Sequence, residues 1–256
     1  MSNKLYVALV QTDLFWNNPK ANKNYLDALL ARVDGADVIV LPEMFTTAFC
    51  IEGRAEPMNG ASIQWMLQQA KSLNAAVCGS LIIHEGNLQY NRFVWATPNG
   101  EVEYYNKRHL FSLMGEEEQF AVGVERKVIH YKGWKVFPQI CYDLRFPVYS
   151  RNDLDYDVLL YVANWPVRRI SAWDKLLQAR AIENQSYVVG VNRVGNDVNN
   201  ISFPGHSAVY GALGETLVFL GEEEKVEQAT LDKEVLTETR EQLPFLKDRD
   251  GFILSS

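Results

Sequence analysis

A repeated order of elements constrains the fold more than any other feature of the sequence. Each half of the chain reads as strand, helix, strand and hairpin, because short β-branched apolar runs alternate with segments of helical periodicity. Three stretches of the first half resemble stretches at matching places in the second, which indicates a duplication. The matched pairs are DVIVLPE (37–43) with DVLLYVANW (157–165), SIQWMLQQAKSLNAAVCGS (62–80) with SAWDKLLQARAIENQSYVVGV (171–191), and TPNGE (97–101) with GALGE (211–215).

This alternation predicts an α/β fold in which two sheets pack face to face. Each sheet would carry helices on its outer face and bury its bare face against the other, giving a four-layer αββα sandwich with an internal pseudo-two-fold. No linker or low-complexity segment interrupts the chain, so we expect residues 1–256 to form one domain. The elements predicted for the first half are helices at 22–33 and 62–73 and strands at 37–41, 75–83, 90–97 and 102–105.

The composition narrows the classes of partner and compartment. The 256 residues are 47% hydrophobic, and 25 basic against 32 acidic side chains give a formal net charge of -7, which disfavours nucleic acid and anionic membranes as partners. The N-terminal segment lacks a signal-peptide core, and no apolar run reaches the ~18 residues of a membrane span, so we expect a cytosolic protein. The three widely spaced cysteines argue against a disulfide scaffold and a clustered zinc site.

Three reactive side chains stand where predicted strands end, which is where functional residues gather in α/β proteins. Glu43 follows VIVLP, Cys141 follows WKVFPQI, and Lys107 lies in YYNKRHLF. A partly desolvated carboxylate suits proton transfer, a thiol with a nearby base becomes a nucleophile, and an ammonium stabilises negative charge on a carbonyl oxygen. From context alone Glu43 is as readily a loop glutamate. By the same criterion Cys141 is more often a core thiol, as we expect for Cys78, and Lys107 is more often a solvated loop lysine.

Together these residues, in this order, resemble the nitrilase superfamily of carbon–nitrogen hydrolases. Within it the sequence is most similar to the bacterial omega-amidases, which hydrolyse the terminal amide of ω-amido-α-keto acids such as α-ketoglutaramate. The resemblance extends over nearly the whole chain. Its motifs are LYVALVQTDLFWNN, LPEMFTTAF, YNKRHLF, ICYDLRFP, NWPVRR, ARAIENQSYVVGVNRVG and GHSAVYGALGE.

The resemblance implies the nitrilase fold and a catalytic triad. By position, the general base of the family matches Glu43, its lysine matches Lys107 and its nucleophile matches Cys141. It implies a thioester intermediate, an oxyanion site formed by Lys107 and the backbone amide of Tyr142, and neither metal nor cofactor. It also implies a homodimer formed through helices beside the nucleophile.

A further active-site glutamate of the family lies shortly after the lysine, ahead of an aromatic residue and a glycine. Glu116 fits that spacing best, because it stands four positions before Phe120 and seven before Gly123. The adjacent Glu117 and Glu118 remain alternatives, and the three together also read as an acidic loop.

An α-keto carboxylate on the substrate would need a cation in the pocket. Arg168 and Arg169 follow a strand end, and the guanidinium fork binds carboxylates through two hydrogen bonds, although solvated loop arginines are an equal alternative. Arg145 lies nearer the nucleophile, and we expect it to pair with an acid such as Asp143.

Aromatic residues near the motifs indicate a compact apolar pocket, although most of them are expected in the core. Trp165 and Phe45 are the aromatic candidates for contact with the substrate.

Other functions remain open on the sequence alone. A metal-dependent phosphodiesterase can also use an αββα sandwich, and His206 would be its candidate ligand, although a turn histidine is the simpler interpretation. A non-catalytic binding protein on the same fold is a second alternative. An aliphatic amidase, carbamoylase or nitrilase would share the same three residues.

Overall fold

The computed structural model describes residues 3–254, which form two six-stranded sheets with helices on their outer faces and a separate two-stranded sheet within residues 194–204. None of the helices in this range is long and apolar enough to cross a bilayer. The elements of the first half are β1 (Lys4–Gln11), α1 (Pro19–Leu30), β2 (Val38–Val40), α2 (Ala61–Leu73), β3 (Ala76–Glu85), β4 (Leu88–Ala96), β5 (Val102–Asn106) and α3 (Glu116–Gln119). Those of the second half are β6 (Ile129–Tyr131), β7 (Trp134–Ile140), α4 (Pro147–Ser150), β8 (Val158–Ala163), α5 (Ile170–Asn184), β9 (Tyr187–Asn192), β10 (Val194–Asn196), β11 (Ser202–Pro204), β12 (Ala208–Tyr210), β13 (Thr216–Phe219), β14 (Lys225–Asp232) and α6 (Lys233–Gln242).

The two sheets repeat the same pairing pattern, which confirms the predicted pseudo-two-fold. The first has the order β14-β1-β2-β3-β4-β5 and the second has the order β6-β7-β8-β9-β12-β13. In each, the second, third and fourth strands run parallel and every other neighbouring pair is antiparallel. The last strand of the chain, β14, completes the first sheet.

Two aspartates at equivalent places reproduce this symmetry in their contacts. Asp37 and Asp157 each precede a parallel strand, and each carboxylate accepts a hydrogen bond from the backbone of the neighbouring strand and pairs with a lysine that directly follows an edge strand of the other sheet. The two ion pairs therefore join the sheets at symmetric positions. The backbone and lysine partners are Tyr6 and Lys132 for Asp37, and Lys135 and Lys233 for Asp157.

The core has two apolar layers, one on each face of the first sheet. Along β1, Val7 and Leu9 point into the apolar layer between the sheets, whereas Ala8 and Val10 pack under α1 and α2. Helix α5 covers the second sheet. Burial of both strand faces explains why the strands read as continuous apolar runs, and it confirms the four-layer αββα arrangement.

The helix predicted at 22–33 begins earlier, at Pro19, and ends at Leu30. The Asn18 side chain accepts a hydrogen bond from the Ala21 backbone at 3.1 Å, and proline at the first helical position needs no amide donor there. The cap and the proline, rather than the apolar periodicity, therefore set the start of the helix.

Strand direction brings four strand ends to one edge of the sandwich. Strands β2, β7 and β8 are parallel members of their sheets, and β5 runs in the same sense as β2 because two antiparallel steps separate it from β3. The residues that follow these four strands therefore meet at the same end of the two sheets.

Candidate active site

Glu43 lies fully buried beyond the end of β2, between the two sheets. Its Oε1 accepts hydrogen bonds from Lys107 Nζ at 3.0 Å and Asn91 Nδ2 at 2.8 Å. Its Oε2 accepts one from the backbone N–H of Asn164, in the second sheet, at 2.9 Å. A buried carboxylate needs such donors, and these fix the direction in which it faces.

Lys107 follows β5 and is buried with its ammonium between two carboxylates. Its Nζ lies 3.0 Å from Glu43 Oε1 and 2.7 Å from Glu116 Oε2. Burial alone would lower the pKa of Lys107, but attraction by Glu116 and then Glu43 outweighs it and raises that pKa above its usual value. The lysine is therefore a permanent cation in the site.

Glu116 is the first residue of the short helix α3 and is the glutamate that enters the site. It is fully buried, whereas Glu117 and Glu118 face solvent. Its Oε2 accepts the Phe111 N–H at 2.7 Å as well as the lysine proton, and burial raises the pKa of its carboxyl. The spacing-based choice of Glu116 thus agrees with the geometry.

Cys141 is the first residue after β7 and lines the same cavity. Its φ of 44° lies in the left-handed region, which is uncommon for a residue with a side chain and recurs at functional sites. Burial, followed by the negative charge of Glu43 in hydrogen-bonding contact, raises the pKa of the thiol well above its ordinary value. The resting thiol is therefore neutral and adjacent to a carboxylate.

Asp143 holds the turn that carries Cys141 and corrects one prediction. Its Oδ2 accepts the Ile140 N–H and the Tyr105 hydroxyl, each at 2.9 Å, and its Oδ1 accepts the His109 N–H at 2.9 Å. The expected pairing of Asp143 with Arg145 is wrong, because the carboxylate is already bound to these donors.

Arg145 instead points toward the substrate pocket, with its guanidinium 4.9 Å from the centroid of the Trp165 ring. The Trp165 backbone is pinned by Asn192, whose Oδ1 accepts its N–H at 2.7 Å and whose Nδ2 donates to its C=O at 2.9 Å. Trp165 therefore forms a fixed wall of the pocket, and its contact with the substrate stays a prediction.

The pocket above Cys141 encloses about 520 Å³ including its open mouth. Its walls are mostly aromatic and aliphatic, with two arginines among them. The lining residues are Phe49, Lys107, Phe111, Met114, Cys141, Tyr142, Arg145, Asn164, Trp165, Pro166, Arg169, Asp197, Ile201 and Phe203.

Of the two candidate arginines, only Arg169 lines this pocket. Its guanidinium lies 4.9 Å from the Phe111 ring centroid, whereas Arg168 is exposed and does not line the pocket. Both belong to one turn of 3-10 helix, in which successive side chains point in different directions.

Phe45 is not a pocket residue, contrary to the prediction. It is fully buried with its ring 5.7 Å from that of Trp65, and Phe49 lines the pocket instead. Met44 and Phe49 both have positive φ, with values of 44° and 64°, so the loop reverses direction and spacing from the motif does not reveal which ring faces the substrate.

Asn91 and Asn164 also contact Glu43, although neither was predicted from the sequence. Asn164 directly follows the apolar strand β8, which is the signal that singled out Glu43, and applying it again would have found this residue. Asn91 lies within β4, where its amide group contacts both Glu43 and Glu116. A polar residue in an apolar strand was its available signal.

His206, the candidate ligand for a metal-dependent phosphodiesterase, lies in a turn beside Asp174, with 3.0 Å between Nδ1 and Oδ1. Within residues 3–254, no group of three or more His, Cys, Asp or Glu side chains is arranged to hold a metal ion. The His206 ring packs edge-on against the Phe219 ring, with 5.0 Å between the centroids. These contacts suit the alternative of a turn histidine.

Comparisons with known proteins agree with the fold. An omega-amidase from Yersinia enterocolitica, YafV, is 43% identical over 98% of both chains, and a 2-oxoglutaramate amidase from Bacillus subtilis is 33% identical over 96% of this chain and 97% of its own. A crystal structure of a CN-hydrolase superfamily protein from Xanthomonas campestris, with an arsenic adduct in its active site, superimposes with a TM-score of 0.96 at 43% identity and full coverage of both chains. The family model of the carbon-nitrogen hydrolases matches residues 6–241. This chain therefore belongs to the carbon–nitrogen hydrolase family.

Proposed function

We propose that this enzyme is an omega-amidase, which hydrolyses the terminal amide of a short ω-amido-α-keto acid of the α-ketoglutaramate type. The observation that carries the proposal is the 43% identity to a named omega-amidase over 98% of both chains. The geometry supports it, because Glu43, Lys107, Glu116 and Cys141 lie together under a pocket whose lining includes arginine. The 2-oxoglutaramate amidase relative supports the same substrate class.

The first half-reaction forms a thioester on Cys141. Glu43 removes the thiol proton as the sulfur attacks the amide carbon, because the resting thiol is neutral and lies beside this carboxylate. The carbonyl π electrons move to oxygen, where Lys107 and the backbone N–H of Tyr142 stabilise the negative charge. When the oxyanion collapses, the C–N bond breaks, and Glu43 returns the proton to the departing nitrogen so that neutral ammonia leaves.

The second half-reaction hydrolyses the thioester. Glu43 takes a proton from a water that attacks the thioester carbon, and the C–S bond breaks as the thiol regains its proton. Glu116 shares Lys107 with Glu43 and positions the reacting groups. A fixed, buried arrangement of this kind lowers the barrier because the charged groups need not reorganise during the reaction.

The substrate carboxylate would bind Arg169 and Arg145. Both guanidinium groups line the pocket on the side of Trp165 and Phe111, while the rest of the wall is mostly apolar. Two arginines in a largely apolar pocket favour a short anionic substrate over a neutral amide of the same size.

Ammonia release from a substrate panel tests the proposal. The panel compares a keto-acid amide with a plain aliphatic amide, a carbamoyl compound and a nitrile, which represent the rival activities of the superfamily. We expect the keto-acid amide to give the highest kcat/KM, and a higher value for any of the other three would assign the rival activity instead.

Matched cysteine variants test the nucleophile. Cys141→Ala should abolish ammonia release, whereas Cys78→Ala should retain it because Cys78 is a fully buried residue of β3 whose side chain packs in the apolar layer between the sheets. Turnover by Cys141→Ala equal to that of the parent would overturn the assignment. Inactivation by a thiol alkylator but not by EDTA would separate this mechanism from that of a metal-dependent phosphodiesterase.

We further infer a homodimer formed through the face of α4 and α5. Val148 and Ile182 on these helices are 53% and 51% exposed, and helices beside the nucleophile are where the resemblance to the family places the dimer contact. Light scattering after size exclusion would measure the mass. Val148→Lys should yield monomers, whereas Leu88→Lys, at an equally exposed position in the β3–β4 hairpin, should not. A monomeric parent would refute the inference.

A further inference from the structure

We propose that Asn91 is a positioning residue for the reaction, because its uncharged side-chain amide donates hydrogen bonds to both Glu43 and Glu116 beside Lys107. We call this amide, with its two donated hydrogen bonds, the neutral fork. Asn91 is fully buried. Its Nδ2 donates one hydrogen bond to Glu43 Oε1 at 2.8 Å and one to Glu116 Oε1 at 3.2 Å. Both donors of the amide are therefore committed to the two carboxylates of the active site.

The surroundings fix which way the amide faces. With the opposite orientation, the Asn91 carbonyl oxygen would point at two carboxylates, and like partial charges would repel. In the observed orientation Oδ1 has no hydrogen-bond partner among the described residues. A buried acceptor without a partner is unfavourable, so the contacts with Glu43 and Glu116 are strong enough to impose this arrangement.

The fork complements the lysine without adding charge. Lys107 bridges the same two carboxylates, so the buried cluster holds one ammonium and two acidic groups. A second cation in place of Asn91 would neutralise the remaining negative charge and weaken Glu43 as a base. An amide supplies two hydrogen bonds that favour the ionised form of the carboxylates, and it lowers their basicity less than a full positive charge would.

The backbone holds Asn91 and Lys107 side by side. The Lys107 N–H donates to the Asn91 carbonyl at 3.0 Å, which extends the β4–β5 ladder by one step beyond the Arg92–Asn106 pair. Arg92 is itself buried and bonded to Asn106, with 2.6 Å between Nε and Oδ1. The sheet therefore sets the distance between the neutral fork and the cation.

Loss of the fork should change the proton affinity of the site as well as its rate. Without these donors the ionised carboxylates are less stable, so they take up protons at a higher pH. The acid limb of the kcat/KM profile should therefore move to higher pH, because the base must be ionised to accept the thiol proton. A merely structural role would lower stability or kcat without moving that limb.

Two variants and a matched control test the inference, which rests on the proposed function for its substrate. In Asn91→Ala both donors are lost, and in Asn91→Asp an acceptor replaces them. We expect kcat/KM to fall by roughly 10- to 100-fold and the acid limb to rise by about one pH unit, with the larger shift in the Asp variant. Asn152→Asp alters another fully buried asparagine, bonded to Tyr156 and Asn184 away from the site, and should leave the limb in place.

The pH dependence of Cys141 alkylation by iodoacetamide provides a readout that needs no substrate. The acid limb of the alkylation profile should move to higher pH in both Asn91 variants. Thermal unfolding shows whether each variant folds, and if Asn91→Asp does not fold, Asn91→Ala decides the question. An unchanged acid limb in a folded Asn91 variant would overturn the inference. If the limb moves but the parent releases no ammonia from a keto-acid amide, the proposed substrate fails and the role of Asn91 stands.

Discussion

Replacement of Asp143 by asparagine tests how the nucleophile is held against the lysine. The Asp143 carboxylate accepts hydrogen bonds from Ile140 N, Tyr105 Oη and His109 N, each at 2.9 Å, and lies 2.7 Å from His109 Nδ1. One buried carboxylate thus joins the turn that carries the nucleophile to β5 and the loop that carries the lysine. Asparagine keeps the shape and removes one of the two acceptor oxygens.

The expected loss of stability follows from the better of two amide orientations. With the new NH₂ group facing His109, the imidazole Nδ1 can accept a hydrogen bond when its proton lies on Nε2, and only the His109 backbone N–H loses its acceptor. Hydrogen bonds to charged groups contribute about 1.5–3 kcal/mol, and an abandoned buried donor adds its desolvation cost. We therefore expect Asp143→Asn to lower the free energy of unfolding by about 2–3 kcal/mol, which corresponds to roughly 4–12 °C in Tm for a chain of this size.

Differential scanning calorimetry at neutral pH measures this change. The matched control is Asp155→Asn, because the Asp155 side chain is 74% exposed and its ion pair with Lys135 should contribute less than about 1 kcal/mol. The kcat of Asp143→Asn should fall as well, since the same contacts set the distance between Cys141 and Lys107. A variant with the Tm and kcat of the parent would refute this account of the turn.

Three further predictions address single side chains. Folding raises the pKa of the Cys141 thiol, so the unfolded chain loses this proton at a lower pH than the folded protein does. The free energy of unfolding of the parent, relative to that of Cys141→Ser, should therefore fall as pH rises above about 8.5, as measured by urea unfolding. A difference between the two proteins that stays constant with pH would contradict the raised pKa. Arg169→Ala should raise KM for a keto-acid amide about tenfold or more and Arg168→Ala should not, measured by initial rates; equal KM values would remove Arg169 from the carboxylate site. Glu116→Gln should lower kcat by at least about tenfold and Glu117→Gln should leave it unchanged, since of these two glutamates Glu116 contacts the buried Lys107 and Glu117 faces solvent; equal kcat values for the two variants would exclude that role of Glu116.

The parts of the molecule that could be predicted from sequence are those in which one local rule decides the outcome. Strand ends made Glu43, Lys107 and Cys141 candidates, because the order of parallel strands brings such ends to one edge, and the family resemblance then selected them. The duplicated order of elements predicted the repeated sheets for the same reason. Both inferences depend on strand direction, which the alternation of strands and helices reveals.

The parts that could not be predicted depend on where a side chain points. Phe45 and Phe49 are both aromatic residues near one motif, and the positive φ values in their loop decide which of them lines the pocket. Arg145 was expected to pair with Asp143, but the carboxylate is held by Ile140, Tyr105 and His109, which come from distant parts of the chain or from the backbone. Contacts between remote segments are set by the tertiary fold, and neither composition nor spacing reveals them.

The duplication supplies two similar halves, but the active site divides its tasks between them. The first half provides Glu43, Lys107 and Glu116, and the second provides Cys141 and Asn164. The two oxygens of Glu43 show this division, because Oε1 accepts hydrogen bonds from its own half while Oε2 accepts the Asn164 N–H of the other. The proposed base, Glu43, therefore faces the Cys141 thiol only when the two sheets are packed together, so the contacts between the sheets stabilise the fold and assemble the proposed catalytic residues at the same time.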